Sequence, residues 1–157
     1  MIVTDLNAFE KACRERGVEL RREQRTFKTY GGTQNRCDMA VVDASNPNAY
    51  EIGLVKCRVE PDPRDASKLR KVADPNGTGY MMLTDEWGSS GGLKEKVGEN
   101  AGLLVQHYGI NAAKRVAQKQ GMQVREHKLP DGRIRLVCEP RQQQAMAGAG
   151  GWGGSGY

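Results

Sequence analysis

The sequence predicts an α+β fold: a largely antiparallel sheet with two principal helices on one face, a C-terminal β-hairpin and a disordered glycine-rich tail. Three observations support this fold class. Apolar residues recur at helical spacing over residues 5–16 and 101–120, apolar and polar residues alternate in short stretches elsewhere, and the composition changes to glutamine and glycine after Pro140. We therefore predict one domain over residues 1–140 and a tail over residues 141–157.

The second helix has the clearest periodicity. At about 100° per residue, its apolar side chains fall within a sector roughly 120° wide. Lys119 and Gly121 supply a cationic last turn and a glycine stop, which are typical of a helix C-terminus. Gly98 predicts a break before the helix. The apolar sector contains Ala101, Leu104, Val105, Tyr108, Ala112 and Val116.

A β-hairpin is predicted directly after this helix. Two alternating runs, residues 122–129 and 133–139, flank Pro130-Asp131-Gly132, whose residue types favour a tight reversal. The alternation gives the hairpin one apolar face, on which Cys138 also falls. The other face carries Arg125, His127, Arg133 and Arg135.

The chain before residue 101 is predicted to contain the first helix and most of the sheet. Leu6, Phe9 and Cys13 have helical spacing, Asp5 can cap the helix, and Gly17 ends it. The predicted strands cover residues 18–30, 37–43, 49–59 and 80–83.

Three other features of this region bear on function. Gly53 interrupts a run of strand formers, which predicts a bulge or a close backbone approach. Residues 61–79 contain three prolines and mixed charges, which predicts a surface loop. The glycine-rich turn at residues 88–92 leads into a helix at Leu93, as phosphate-binding loops do. It lacks a Gly-Lys-Ser/Thr ending, so the pattern is weak evidence for a nucleotide-binding loop.

Charge, apolar runs and cysteine spacing bear on where the protein is located and on what it binds. The net charge of +5 and the isoelectric point of about 9.1 favour anionic partners. No apolar run approaches the ~20 residues of a membrane span, and residues 1–10 show no secretory signal. These observations predict a cytoplasmic protein with no membrane partner. The four cysteines form no CxxC pair, so we expect reduced and mostly buried thiols at Cys13, Cys37, Cys57 and Cys138.

Residues that could perform chemistry are few. His107 and Asn111 share a helix face, but a surface histidine is the simpler interpretation. Adjacent Asp85 and Glu86 would point to opposite sides of a strand. We therefore predict no enzyme activity, catalytic residue, cofactor or metal site. An enzyme with a site around Asp85, Trp87 and His107 is the weakest of three functional classes.

A second class is a nucleic-acid-binding module. Cationic side chains of the first strand and of the last hairpin could contact phosphates, and tail aromatics could stack on bases. The simpler alternative is a solvated strand edge and a solvated tail. Pairing of the arginines with Glu19, Glu23, Glu126 and Glu139 would favour that alternative. The candidate residues are Arg21, Arg25, Arg125, Arg133, Arg135, Trp152 and Tyr157.

Several short motifs resemble one family. They follow one another through most of residues 1–139, and together they are similar to the domain of unknown function typified by the hypothetical chloroplast reading frame thirty-five. That family occurs in plastids, cyanobacteria, other bacteria and phages. The segments that carry the resemblance are 5–9, 50–53, 100–108, 112–114, 121–124 and 129–137.

The resemblance implies no known activity, cofactor or catalytic residue. Residues 61–79 and the glycine-rich tail depart from the plastid pattern, which favours a bacterial or phage source. Relatives are sometimes encoded beside an AAA-type ATPase. The preferred hypothesis is therefore a non-enzymatic accessory or adaptor protein that acts through protein contacts.

Overall fold

The computed structural model describes residues 1–85 and 90–141. The chain divides within its longest helix into two compact units, residues 1–116 and 117–157. The prediction of a single domain over residues 1–140 stays a prediction. The helices are α1 (Leu6–Glu15), α2 (Leu93–Val97) and α3 (Gly102–Lys119). The strands are β1 (Glu19–Arg21), β2 (Thr26–Lys28), β3 (Gln34–Arg36), β4 (Met39–Val42), β5 (Ile52–Asp62), β6 (Asp65–Ala73), β7 (Gly79–Leu83), β8 (Met122–Lys128) and β9 (Ile134–Pro140).

Strand β5 is the centre of an antiparallel sheet in the first unit. Residues 52–54 of β5 pair with β4, residues 53–57 with β7, and residues 57–62 with β6. Because Gly53 and Cys57 each pair on both sides, β4 and β6 must lie along the same edge of β5, and β7 along the other. β1 pairs with the outer edge of β4. The predicted loop over residues 61–79 is therefore wrong, since β6 occupies nine of those positions.

Strand β4 faces a different core on each side. Met39 and Val41 belong to the larger core, whereas Ala40 and Val42 belong to a smaller one. Successive side chains of a strand point to opposite faces, so both faces of the sheet are covered at β4. The run is apolar at all four positions, as strands buried on both faces usually are.

The two principal helices cover one face of the sheet, as predicted. Phe9 of α1 and Tyr108 of α3 meet edge to face with ring centroids 5.7 Å apart, and both contribute to the larger core with Ile52 and Leu54. Asp5 caps α1 through bonds from the backbone N–H groups of residues 7 and 8. Its other carboxylate oxygen accepts a hydrogen bond from Arg115 Nε at 2.7 Å, which ties α1 to α3.

The chain breaks before α3 where the sequence predicts a break. Gly98 has φ 81°, and Asn100 and Ala101 also have positive φ, so α2 and α3 are separate helices. One position of the predicted apolar sector is wrong, because Val116 is 56% exposed.

The smaller core lies under a short hairpin that the sequence analysis did not separate. The predicted strand over residues 18–30 is two strands: β1 ends at Arg21, and a turn in which the Gln24 N–H bonds to the Arg21 carbonyl leads to β2. β2 pairs with β3, and Phe27 packs in the smaller core with Cys37. The turn between β1 and β2 allows Phe27 to pack on the sheet face opposite the helices.

The second unit contains the predicted β-hairpin. β8 pairs with β9 from Met122↔Pro140 to Lys128↔Ile134, and the turn closes with Gly132 at φ 82°. Cys138 is exposed, which corrects the expectation of a buried thiol. Cys13, Cys37 and Cys57 are buried free thiols, and burial raises the pKa of the Cys13 thiol to about 12.

Candidate functional site

One surface feature of the first unit is a two-stranded extension of the sheet, residues 58–72, which we call the β-arm. Beyond Cys57, β5 pairs only with β6. No β-arm residue contributes to either hydrophobic core of the described chain. The β-arm therefore does not cover the interior of the first unit.

One face of the β-arm is charged and held together by ion pairs. Glu60 pairs across the strands with Arg70 and accepts hydrogen bonds from its Nε at 3.0 Å and its Nη2 at 2.6 Å. Arg58 Nη2 donates to the other carboxylate oxygen at 2.8 Å. The hydrogen bonds from Arg70, and then from Arg58, hold the pKa of the Glu60 carboxyl below its usual range.

The other face of the β-arm is exposed and mostly apolar. The register places Val59 opposite Lys71 and Pro61 opposite Leu69, so these four side chains share one face. Val59 is 46% exposed and Leu69 is 72% exposed, the largest value among the exposed large apolar side chains of the described chain. A ribbon with one charged face and one open apolar face is suited to covering an apolar surface of another molecule.

The tip of the β-arm is closed by carboxylate caps. Asp62 accepts from the backbone N–H of Arg64, and Asp65 accepts from the N–H and hydroxyl of Ser67. The β-arm is cationic on balance, because its five basic residues outnumber its three acidic ones. The basic residues are Arg58, Arg64, Lys68, Arg70 and Lys71.

The β-arm was missed by the sequence analysis because its prolines suggested a loop. Pro61 lies within β5, but β7 reaches only to Cys57, so beyond that point β5 has one free edge where a proline without an N–H is tolerated. A hairpin could have been inferred from Asp62-Pro63-Arg64-Asp65, a turn sequence between two segments that each contain isolated apolar residues.

Arg21 and Arg25 lie in the first unit and each meets a neighbouring carboxylate. Arg21 Nη2 is 3.5 Å from Glu19, and Arg25 Nη2 is 3.7 Å from Glu23. Arg25 also donates through Nη1 to two backbone carbonyls. These exposed pairs are weak, but they lower the net charge that this segment presents.

The three hairpin arginines lie in the second unit. Arg125 and His127 stand on the face that also holds Arg135, because His127 pairs with Arg135. Arg125 Nε lies 3.4 Å from Glu139, and Arg133 Nη2 lies 2.6 Å from Asp131. Two of the three cations thus have nearby carboxylates. Trp152 and Tyr157 lie outside the described residues, as does the remainder of the tail from residue 142.

The candidate enzyme residues have separate partners. His107 Nδ1 lies 2.9 Å from Glu15 Oε2, and Asn111 Nδ2 donates to the same oxygen at 3.0 Å, so they do share a helix face. Burial would raise the pKa of the Glu15 carboxyl, but these hydrogen bonds outweigh it and lower the pKa. Asp85 instead accepts from the backbone N–H of Tyr30. Trp87 lies outside the described residues.

The described end of the glycine-rich turn packs against another turn. A Cβ at Gly91 would lie 2.1 Å from the carbonyl oxygen of Asn48, and Asn46 Nδ2 donates to the Gly91 carbonyl at 2.9 Å. Close packing therefore accounts for this glycine. Within residues 1–85 and 90–141, no three His, Cys, Asp or Glu side chains are grouped to hold a metal ion.

Three comparisons with known proteins were negative. No family model, no curated protein and no solved structure matches it. Among the described helices, none combines the length and the apolar character needed to cross a membrane.

Proposed function

We propose that this protein is a non-enzymatic accessory protein that acts through protein contacts, with the β-arm as its docking element. One observation carries the proposal. The β-arm extends beyond the sheet and leaves Val59 and Leu69 exposed on a single face. Full burial of a leucine or valine side chain is worth about 2 kcal/mol, so covering this face provides a driving force for association.

The charged face supports the proposal because it gives the β-arm a defined shape. Glu60 bridges Arg58 and Arg70, which pins both strands on the side away from Leu69. A preorganised element loses less conformational entropy on binding than a flexible loop does. These exposed ion pairs add modestly to the backbone pairing of β5 with β6, which sets the register of the apolar face.

Charge indicates the chemistry of the partner. The β-arm has two more basic than acidic residues, and Lys71 lies on the face that holds Val59 and Leu69, so the complementary surface is an apolar patch bordered by Asp and Glu side chains. We also propose that the chain belongs to the family that its motifs resemble. Because relatives in that family are sometimes encoded beside an AAA-type ATPase, such an ATPase is the first partner to test.

The test compares Leu69→Ser with Val116→Ser. Both variants remove an exposed aliphatic side chain, but Val116 lies on α3 and outside the β-arm. A partner is identified by photo-crosslinking from position 69, then purified, and its affinity is measured by calorimetry. We expect Leu69→Ser to weaken binding about tenfold or more, Val116→Ser to leave it unchanged, and added salt to weaken it.

Two results would contradict the proposal. Equal affinities for Leu69→Ser and the unchanged chain would place the contact elsewhere. Absence of any crosslinked partner that binds after purification would remove the evidence for a docking element. Urea unfolding of both variants serves as the folding control, because exposed positions should change stability by less than about 0.5 kcal/mol.

The hairpin supports a second candidate function, binding of nucleic acid. Its cationic face brings together Arg125, His127 and Arg135, with Arg133 at the turn. The other sequence candidates are separate from this face: Arg21 and Arg25 belong to the first unit, and Trp152 and Tyr157 lie outside the described residues. We rank nucleic-acid binding below protein docking because the carboxylates beside Arg125 and Arg133 compete with phosphates for the guanidinium groups.

Fluorescence anisotropy with labelled single- and double-stranded DNA and RNA tests this second function. If it is correct, affinity falls steeply with salt, and changing Arg125, Arg133 and Arg135 to Glu abolishes binding. The matched variant changes Arg64, Lys68 and Arg70 of the β-arm to Glu, which alters net charge equally. Equal losses in both triple variants, or no binding at low salt, would reject a hairpin site.

A further inference from the structure

A cleft of about 320 Å³ opens on the helix-bearing face of the sheet in the first unit. Met39, Leu54 and Lys56 share this face, because Met39 pairs with Leu54 and side chains two apart on β5 point the same way. Tyr80 of β7 lies directly opposite Lys56. The segment after β1 and the turn between β6 and β7 complete the walls. The residues that line the cleft are Arg22, Arg25, Asp38, Met39, Lys56, Pro75 and Tyr80.

Both arginines of the cleft are held in place by the protein. Arg25 Nη1 donates to the carbonyl oxygens of Arg22 at 2.6 Å and Asp38 at 2.5 Å. Arg22 Nη2 donates to Glu10 at 2.6 Å and to Asn7 at 3.3 Å. Each arginine also has a carboxylate beside it, Glu10 for Arg22 and Glu23 at 3.7 Å from Arg25 Nη2. Each guanidinium has five N–H donors in a rigid fork, so donors remain for a ligand beside these carboxylates.

Lys56 is the cation of the cleft that has no counter-ion. Its ammonium makes no hydrogen bond or ion pair with the part of the chain that the structure describes, although its side chain is only partly exposed. The one carboxylate of the cleft, Asp38, already accepts from the backbone N–H of Lys56 at 2.7 Å. An ammonium in a cleft that makes no bond with the described chain is available to an anionic ligand.

We propose that this cleft binds the phosphate group of a small phosphorylated ligand. Arg22, Arg25 and Lys56 all line the cleft, and charge-assisted hydrogen bonds from guanidinium and ammonium groups are the ones that recognise phosphate. Met39 and the Tyr80 ring provide surface for the organic part of the ligand. The volume lies at the lower end of the range for small-molecule sites, which suits a ligand of mononucleotide size.

This inference goes beyond the docking function and does not depend on the β-arm. A free anion, a mononucleotide and a nucleic-acid backbone all offer phosphate, and the proposal is for the first two. Calorimetry at low ionic strength with inorganic phosphate, adenosine 5′-monophosphate, adenosine and a short oligonucleotide distinguishes them.

The decisive variant is Lys56→Met, which keeps the aliphatic stem and removes the charge. Lys68→Met, in the β-arm and outside the cleft, is the matched control for loss of one positive charge. We expect saturable binding of the mononucleotide, weaker binding of inorganic phosphate and none of adenosine. Lys56→Met should weaken mononucleotide binding about tenfold or more, and Lys68→Met should not change it.

Several results would overturn the proposal: no binding of phosphate or mononucleotide, adenosine binding as tight as the mononucleotide, equal losses in both lysine variants, or binding of the oligonucleotide alone. If Lys56→Met does not fold, Lys56→Arg replaces it and should retain binding. Amide chemical-shift changes in the unchanged protein give a second measurement. Mononucleotide shifts confined to residues outside the cleft would also reject the site.

Discussion

Replacing Gly53 by alanine should lower the free energy of unfolding by about 2 kcal/mol. A Cβ at this position would lie 2.4 Å from Phe27 Cδ1 and 2.5 Å from Cε1, distances that side chains do not tolerate. Phe27 is only 4% exposed and fills the smaller core, so its ring cannot move aside without opening a cavity or straining β2. Urea unfolding followed by circular dichroism measures the change.

Gly109→Ala is the matched control, and it should act in the opposite direction. Gly109 is exposed inside α3, and a Cβ there meets no atom within 4 Å. Alanine is favoured over glycine in a helix interior by about 1 kcal/mol, so this variant should be more stable than the unchanged chain. Equal stability of Gly53→Ala and the unchanged chain would show that Phe27 does not pack on Gly53.

The close approach at Gly53 was predictable from sequence, but its partner was not. A glycine within a run of strand formers indicates that another group comes near the backbone. Phe27 reaches Gly53 only because the chain turns between Arg21 and Gln24 and crosses to the other sheet face. Local propensity over residues 18–30 favours one continuous strand, and tertiary packing overrides it.

The periodic elements were predictable because each depends on its own sequence. Apolar spacing located α1 and α3, and the alternation around Pro130-Asp131-Gly132 located the β8–β9 hairpin. β6 could not be located in this way. Its residues have few apolar neighbours, and the strand exists because it pairs with the second half of β5.

The candidate sites depended even less on local pattern. The cleft takes Arg25 from the segment after β1, Lys56 from β5 and Tyr80 from β7, which are far apart in sequence. Nothing in the sequence around Arg25 shows that two backbone carbonyls hold its guanidinium. The sequence shows where the basic residues occur along the chain. Only the fold shows which of them line the same cleft.

Asp43→Asn should destabilise the protein at neutral pH by about 2–3 kcal/mol and should lose most of that effect in acid. Asp43 has a side chain that is only 3% exposed, and it accepts hydrogen bonds from Lys96 Nζ at 2.7 Å and Ser45 Oγ at 2.6 Å. Lys96 Nζ also donates to the Gly17 carbonyl at 3.2 Å. The cluster therefore joins α2, the end of β4 and the turn after α1.

The pH dependence follows from the direction of the pKa shift. The hydrogen bond from Lys96, and then that from Ser45, hold the pKa of the Asp43 carboxyl in the folded state below its ordinary value of 3.8. A depressed folded-state pKa contributes stability above the ordinary value, and that stability is lost as pH falls through the folded-state pKa. Asparagine does not titrate, so the difference in unfolding free energy between the two chains should shrink as pH falls below the ordinary value.

Other carboxylates of the chain also have lowered pKa values, so the informative quantity is this difference and not the acid sensitivity of either chain alone. Lys96→Met provides an independent check, because it leaves a buried carboxylate without its cation. Its destabilisation should be large at neutral pH and smaller once Asp43 is protonated. A difference between Asp43→Asn and the unchanged chain that stays constant from neutral pH to about pH 3 would show that the Lys96–Asp43 ion pair does not stabilise the fold.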